Sequence, residues 1–413
     1  MAGLKSTLVS VIGGRLFIGA SRLIISILIV RLSGAESFGA YILVVTCLYF
    51  GEWLVDFGTT DIGVRELART TADEQQLSPE AGPILLAVMK LKLGQVVVAV
   101  ISVNALALAL GYRELLSAFL LGSVSFLFMG IAVSMRAYLR ASMRMHRDVT
   151  AEALSLIVNL MVLAFLATPE APVWLLVACH TISRGVYALL NLYFSRSILA
   201  RLARGPKTRD YSQLIARSAL PLGLAGVLVV AYDAMYPVVL SKLLNLESVA
   251  IFTVAMRLVF PVVIITHAVG NVFFTLLVSA WEEGVTAFEE RQQQFTLLVT
   301  IISCGLFTGM YVGAEFFVGL FGEEVDESAA VLRVVCWAIL GRALTTAMAP
   351  PIVISGHQAK TLGLTLITVV LSTFMVLALV SQFGIWGAAY AYVIVECVLT
   401  GIPTALLSQY WAG

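Results

Sequence analysis

The chain has 413 residues, of which 60% are hydrophobic and 12% charged, with a formal net charge of +1 and a mean hydropathy of +0.96. Soluble domains are about half apolar and about 25% charged, so this composition excludes a soluble globular protein. It indicates an all-α polytopic membrane protein with little mass outside the bilayer. The five cysteines fall in apolar stretches without metal-ligand spacing, and they predict neither a disulfide framework nor a metal site.

Apolar stretches of about 20 residues, the length that crosses a bilayer as a helix, recur along the whole chain. They are too long and too dense for barrel strands, which alternate over about 10 residues. The first stretch follows Lys5 directly and contains Arg15, so a cleavable signal peptide is not expected. We predict about twelve transmembrane helices. In chain order they span residues 8–32, 38–58, 86–111, 115–138, 149–167, 172–195, 214–243, 248–280, 294–320, 329–355, 360–381 and 385–409.

The placement of lysine and arginine predicts the orientation, because these residues favour cytoplasmic loops. With the N-terminus in the cytoplasm, 17 of the 26 lie on the cytoplasmic side, 3 lie outside and 6 lie within spans. Both termini are therefore expected in the cytoplasm. The most basic loop joins the sixth and seventh predicted spans. It predicts a six-helix N-terminal lobe over residues 1–197, a basic cytoplasmic linker over 198–213 and a six-helix C-terminal lobe over 214–413.

Two segments 211 residues apart are similar in sequence, one from Arg22 to Tyr41 and the other from Asp233 to Phe252. Six spans per half give both halves the same orientation, which makes this a parallel internal repeat. Transporters built from two similar halves place their site where the halves meet. Chance similarity between two apolar helix-loop-helix segments is the alternative. The matched pairs are Arg22/Asp233, Arg31/Lys242, Glu36/Glu247, Ser37/Ser248 and Tyr41/Phe252.

Several arginines lie inside predicted spans, where an ionisable side chain costs several kcal/mol unless it faces a cavity or a partner. If both halves face one cavity, the arginines outnumber the acids Asp233 and Glu396, which predicts a cationic chamber. Arginine binds phosphate with two parallel hydrogen bonds, so a phosphate or pyrophosphate group is the expected ligand. The alternative is pairing within the protein, with Arg22 and Asp233 as a static link between the halves. The predicted cavity residues are Arg15, Arg22, Arg184, Arg257 and Arg342.

Two pairs of acids have predicted roles. Asp233 and Glu396 lie within spans and are candidates for ion coupling or for pairing between the lobes, with H+ or Na+ as the coupling ion. No cofactor is expected. Glu52 and Asp56 are four residues apart, share one helix face and predict an inner gate. A helix end held by ion pairs to basic loops is the alternative for this second pair.

No segment matches a nucleotide-binding loop, a zinc-binding helix or a nucleophile elbow, and no soluble segment is large enough for an ATPase domain. The outer loops are too short for a glycan-assembling membrane enzyme, so the chain is expected not to be an enzyme. Six prolines lie within predicted spans of the second half, where proline kinks a helix. We predict that helix bending during transport is centred on Pro221 to Gly226 and on Pro237.

Motifs in both halves resemble the signature of bacterial polysaccharide transporters, the Wzx-type lipid-linked oligosaccharide flippases of the MOP superfamily. The resemblance implies a MATE-like fold, with a V-shaped pair of six-helix lobes around a cationic cavity. It marks Gly39, Asp56, Gly58, Asp233 and Glu247 as family positions. Ala250 departs from it, since the second repeat often has glycine there. The motifs are Leu32 to Tyr41, Asp56-Phe-Gly58, Arg65-Glu66, Asp233, Leu244 to Phe252 and Arg257-Leu258.

The resemblance also implies an activity. Such proteins move undecaprenyl-pyrophosphate-linked oligosaccharides from the inner to the outer leaflet of the bacterial inner membrane, for O-antigen, lipopolysaccharide or exopolysaccharide biosynthesis. The implied partners are that lipid-linked substrate, membrane lipids, a polysaccharide polymerase and chain-length machinery, with no nucleic acid. Twelve spans argue against the lipid II flippase branch, which has two further helices. The alternative function is a MATE-like ion-coupled antiporter of drugs or organic cations, which favours an acidic or aromatic cavity.

Overall fold

The computed structural model describes residues 2–70, 81–202, 210–354, 358–401 and 404, and within these ranges every regular element is a helix. The helices of the first half are α1 (Ala2–Asp56), α2 (Thr59–Thr70), α3 (Ala81–Ala109), α4 (Leu116–Ser123), α5 (Ser125–Ala141), α6 (Met145–Leu166), α7 (Val173–Phe194) and α8 (Arg196–Leu202). Those of the second half are α9 (Ser212–Leu243), α10 (Leu246–Glu283), α11 (Val285–Val312), α12 (Ala314–Gly319), α13 (Glu327–Val335), α14 (Trp337–Ile354), α15 (Gln358–Phe383), α16 (Ile385–Ile394) and a π-helix (Val395–Gly401). The all-α prediction is confirmed.

Within the described residues the predicted spans coincide with these helices, and residues 355, 402–403 and 405–409 of the predicted spans lie outside the described ranges. The first two both lie in α1, where Gly34 (φ 84°, ψ 167°) interrupts the helical backbone between them. Each later span falls on one helix or on two consecutive ones, such as α4 with α5. In the described part of the chain, nine stretches are long and apolar enough to cross a membrane, and one of them, Leu16–Arg69, includes both spans of α1.

The turn that follows the first span has a counterpart 211 residues later. Gly34 interrupts α1, and Asn245, at the matched position, is the N-cap of α10. The Asn245 side-chain oxygen accepts a hydrogen bond from the Ser248 backbone N–H at 2.8 Å. The two copies therefore make the turn at the same place by different means, a glycine with positive φ in the first and an asparagine cap in the second.

The chain divides into two compact units. Unit 1 comprises Met1–Ser33 and Ala40–Ala234, and unit 2 comprises Gly34–Gly39 and Met235–Gly413. Helix α9 is therefore shared, with its longer N-terminal part in unit 1. The predicted lobes, 1–197 and 214–413, stay a prediction.

The linker predicted over residues 198–213 is partly helical. Helix α8 continues to Leu202, residues 203–209 lie outside the described ranges, and α9 begins at Ser212. The exposed Asp210 carboxylate accepts a hydrogen bond from the Ser212 backbone N–H at 2.9 Å. Hydrogen bonds from the side chain and the backbone of Ser212, together with the nearby Lys90 ammonium, lower the pKa of Asp210 to about 2. The predicted bending of α9 at Pro221 and Pro237 stays a prediction.

Helix α1 ends at a break that positions part of the site. Phe57 (φ 41°) and Gly58 (φ 70°) both adopt left-handed backbone conformations, which end an α-helix. Helix α2 begins immediately afterwards, beyond the predicted second span. A Cβ added at Gly223 of α9 would lie 2.4 Å from the Phe57 ring, so α9 packs tightly over the break.

Candidate functional site: buried ion pairs in the membrane helices

Glu52 and Arg184 form a buried ion pair inside unit 1. Glu52 lies on α1 and Arg184 on α7, and their side chains are 6% and 10% exposed. Arg184 Nη2 donates a hydrogen bond to Glu52 Oε2 at 2.8 Å, and Nε lies 2.7 Å from Oε1. The guanidinium thus meets the carboxylate with two nitrogens, a geometry that helps two charges remain in an apolar interior.

Two aromatic rings surround this pair. His180, one helical turn before Arg184, places Nε2 3.8 Å from Glu52 Oε1. The Tyr49 ring meets His180 edge to face, with centroids 5.8 Å apart, and its centroid lies 5.6 Å from Arg184 Cζ. A cation near an aromatic ring gains further electrostatic stabilisation. Among the described residues, Glu52, predicted as a gate residue, therefore contacts side chains of the membrane helix α7.

Arg22 pairs with Glu152, a residue that the sequence analysis did not select. Arg22 Nη2 donates to Glu152 Oε1 at 3.0 Å, between α1 and α6. The two side chains differ in exposure, 36% for Arg22 and 8% for Glu152. A guanidinium has five N–H donors, so a half-exposed arginine with this contact has further donors available.

Lys92 on α3 is buried against the end of α1. Its ammonium donates hydrogen bonds to the Val55 carbonyl at 3.0 Å, to the Asp56 carbonyl at 2.9 Å and to Asp56 Oδ1 at 3.0 Å. Thr59 Oγ1 is a fourth oxygen at 2.7 Å, so two of the four oxygens share one of the three N–H groups. Asp56 Oδ1 also accepts a hydrogen bond from the Thr60 hydroxyl. Asp56, the second predicted gate residue, is thus held by a lysine on a neighbouring helix.

A third buried cluster links α5, α6 and α7. Tyr187 donates a hydrogen bond to Asp148 Oδ1 at 2.6 Å, and Arg136 Nε donates to the Tyr187 hydroxyl oxygen at 3.1 Å. Arg136 Nε also lies 3.4 Å from Asp148 Oδ2. The Tyr187 side chain is completely buried, so its hydroxyl depends on these partners.

In unit 2, Arg342 of α14 pairs with Glu396. Arg342 Nη2 donates to Glu396 Oε1 at 2.7 Å, and Arg342 Cζ lies 6.0 Å from the centroid of the Tyr392 ring. Glu396 belongs to the π-helix Val395–Gly401. A Cβ added at Gly341 would lie 2.6 Å from the Glu396 carbonyl oxygen, so the two segments touch through their backbones. Single-turn π-helices often occur at functional sites.

Asp233, Arg257 and Arg15 are the remaining predicted site residues. Asp233 is exposed on α9, and Arg257 is half-buried on α10. The Arg15 side chain lies outside the described residues. The roles predicted for all of these residues, in substrate binding, ion coupling and gating, stay predictions. Among the described residues, no group of three or more His, Cys, Asp or Glu side chains converges as a metal site would require.

Of the acids that accompany the arginines, Glu152 was not among the residues predicted from the sequence, and Glu52 was predicted for a different role. The predicted excess of arginine counted only Asp233 and Glu396 as acids, whereas Arg22 and Arg184 pair with Glu152 and Glu52. The excess of arginine over acid inside the spans is therefore smaller than predicted. Glu152 lies inside the predicted span 149–167, so a count of every acid within the spans would have found it.

Long apolar helices with charges paired in their interior define a multi-pass membrane protein, and the fold is that of solved MOP-superfamily transporters. An inward-facing MATE family multidrug resistance transporter shares 16% identity, with a TM-score of 0.76 over 96% of this chain and 94% of that one. The lipid II flippase MurJ, in an inward closed conformation, shares 13% identity, with a TM-score of 0.71 over 97% and 87%. A MOP superfamily transporter from Pyrococcus furiosus shares 16% identity, with a TM-score of 0.66 over 98% and 95%.

The chain belongs to the polysaccharide biosynthesis protein family, whose model matches residues 28–330. The resemblance drawn from the sequence motifs and the expected MATE-like fold are therefore confirmed. A comparison with curated protein sequences finds no significant match.

Proposed function

We propose that this protein is a flippase that moves an undecaprenyl-pyrophosphate-linked oligosaccharide from the inner to the outer leaflet for cell-surface polysaccharide assembly. The family match over residues 28–330 is the observation that carries the proposal, since it connects the chain with polysaccharide biosynthesis. A fold shared with the lipid II flippase MurJ supports transport of a lipid-linked substrate. We place the protein in the bacterial inner membrane with both termini in the cytoplasm, because lysine and arginine cluster in the loops on that side.

Arg22 is the residue that we propose to contact the pyrophosphate. It is half-exposed and its paired acid is buried, so its guanidinium can remain near Glu152 while other N–H groups bind an anion. Arg184 is a weaker candidate, because two of its nitrogens face Glu52 and its side chain is buried. Arg342 is intermediate, with its side chain 26% exposed beside Glu396.

Transport needs a source of energy other than ATP hydrolysis, for which the chain has no motif. An H+ or Na+ gradient, or removal of the product by a polymerase with its chain-length machinery, would supply it. Alternating access of the two halves to either side of the membrane is the mechanism that we expect for this fold.

Arg22→Ala is expected to lower the rate of translocation about 10- to 100-fold, because a charge-assisted hydrogen bond contributes about 1.5–3 kcal/mol. The measurement uses vesicles containing the purified protein and undecaprenyl-pyrophosphate-linked oligosaccharide, extracted from cells that lack this transporter and accumulate its substrate. Arg113→Ala is the matched control, since Arg113 is exposed in the short helical turn before α4. Arg22→Lys should retain part of the rate, because it keeps the charge without the planar pair of donors.

The outcomes separate the proposal from its alternatives. Equal rates for wild type, Arg22→Ala and Arg113→Ala would keep the flippase and reject Arg22 as a substrate contact. No translocation of lipid-linked sugar by the wild type, together with export of an organic cation such as ethidium, would replace the flippase by a drug antiporter.

A further inference from the structure

The contacts of Lys92 resemble those of a bound cation. Its ammonium is surrounded by four oxygens at 2.7–3.0 Å: two backbone carbonyls, a carboxylate oxygen and a hydroxyl oxygen. Lys92 is 2% exposed, and its own aliphatic side chain connects the ammonium to α3. Lys90, two residues earlier on the same helix, differs, since its side chain is 70% exposed and pairs with the surface acid Asp210.

The oxygens converge because of the break after α1. The carbonyls at the C-terminal end of a helix have no partner in the helix itself and carry partial negative charge. At this end, Phe57 and Gly58 leave the helical conformation, and Thr59 returns to helix with its hydroxyl on the same ammonium. Asp56 adds a full negative charge. The other charged groups near this cluster are the positive Arg136 and the negative Asp61.

We propose that the oxygens of Val55, Asp56 and Thr59 form a monovalent-cation site and that the ammonium of Lys92 is its covalently tethered occupant. Backbone carbonyls coordinate K+ in place of water in selective channels, and an ammonium is close to K+ in size. Because the distances suit an ammonium, the vacated site should prefer K+ to the smaller Na+. In the natural protein the tether closes the site to ions of the medium, so Na+ coupling does not run through Asp56.

The test removes the tether and supplies a free cation. Lys92→Ala removes three methylene groups and the ammonium. The soluble molecule that matches the removed atoms is n-propylammonium. In detergent, the melting temperature of the full-length variant should fall on the order of 10 °C below wild type. Propylammonium or K+ should restore several degrees in a saturable way, and neither should alter wild type or the control variant Lys90→Ala. Equal restoration by n-propanol would indicate filling of a void, and no restoration by any cation would reject the site.

A second variant covers the case in which Lys92→Ala does not fold. Lys92→Met retains the aliphatic volume and leaves the oxygens without their cation. Its melting temperature should be several degrees higher in potassium chloride than in choline chloride at the same ionic strength, and Asp56→Asn in the same background should abolish the difference. Equal melting temperatures in the two salts would overturn the proposal. These readouts do not involve transport, so they are independent of the proposed flippase function.

Discussion

Arg184→Met is expected to lower the free energy of unfolding by about 3–5 kcal/mol, because it leaves the Glu52 carboxylate buried without its cation. The hydrogen bond and the close contact that Arg184 makes to Glu52 both disappear, and the nearby His180 is not a full substitute at 3.8 Å. Glu52→Gln should also destabilise, since it leaves the guanidinium unneutralised. The measurement is unfolding of the purified protein in mixed micelles, followed by the loss of helical signal.

A double-mutant cycle shows whether the two residues act as a pair. The variant with both substitutions should be more stable than the sum of the two single effects predicts, by about 0.5–3 kcal/mol. Arg333→Met is the matched control, because Arg333 pairs with the exposed Glu315 at 2.7 Å and such pairs contribute about 0–1 kcal/mol. If Arg184→Met abolished transport and cost no more stability than Arg333→Met, Arg184 would be a substrate contact and not part of a structural pair.

Gly39→Ala is expected to lower the free energy of unfolding by about 2–3 kcal/mol, because the new methyl group has no space. A Cβ at this position would lie 1.9 Å from the Leu246 carbonyl oxygen and 3.4 Å from the Ala250 backbone nitrogen. The obstacle is backbone, so no side-chain rotation relieves it, and the start of α10 would have to move. Close approach of two helices through a glycine is a common packing device in membranes.

Gly94→Ala is the matched control for this prediction. Gly94 lies within α3, and nothing lies within 4 Å of a Cβ added there. Replacing a helical glycine with alanine in open space should raise stability by up to about 1 kcal/mol. A Gly39→Ala variant as stable as Gly94→Ala would show that the Gly39 and Leu246 backbones are not in contact in the folded protein.

The contact at Gly39 also explains the departure at Ala250. The family resemblance led us to expect glycine at this position of the second repeat, for closer packing. Ala250 is completely buried, and the close approach to its helix is made by Gly39 from the other copy of the motif. One glycine is sufficient at this crossing, so the second copy accommodates a methyl group.

Local chemistry made the membrane helices predictable. Spans need about 20 apolar residues whatever their neighbours are, so the twelve helical positions followed from composition along the chain. The gap predicted between the spans 8–32 and 38–58 likewise contains the break at Gly34. The helix α2 was not predicted, because a short helix beyond a span lacks that apolar length.

The amino-acid sequence by itself determined the class of protein, the position of its long apolar helices and its resemblance to polysaccharide transporters, because these depend on local composition and on motifs. Only the tertiary structure decided which charges meet. Glu152 is 130 residues from Arg22, Glu52 is 132 residues from Arg184, and Lys92 reaches a helix end 36 residues away. A charge in an apolar interior needs a partner, but sequence alone cannot choose among distant acids, since helix packing sets which side chains come within hydrogen-bonding distance.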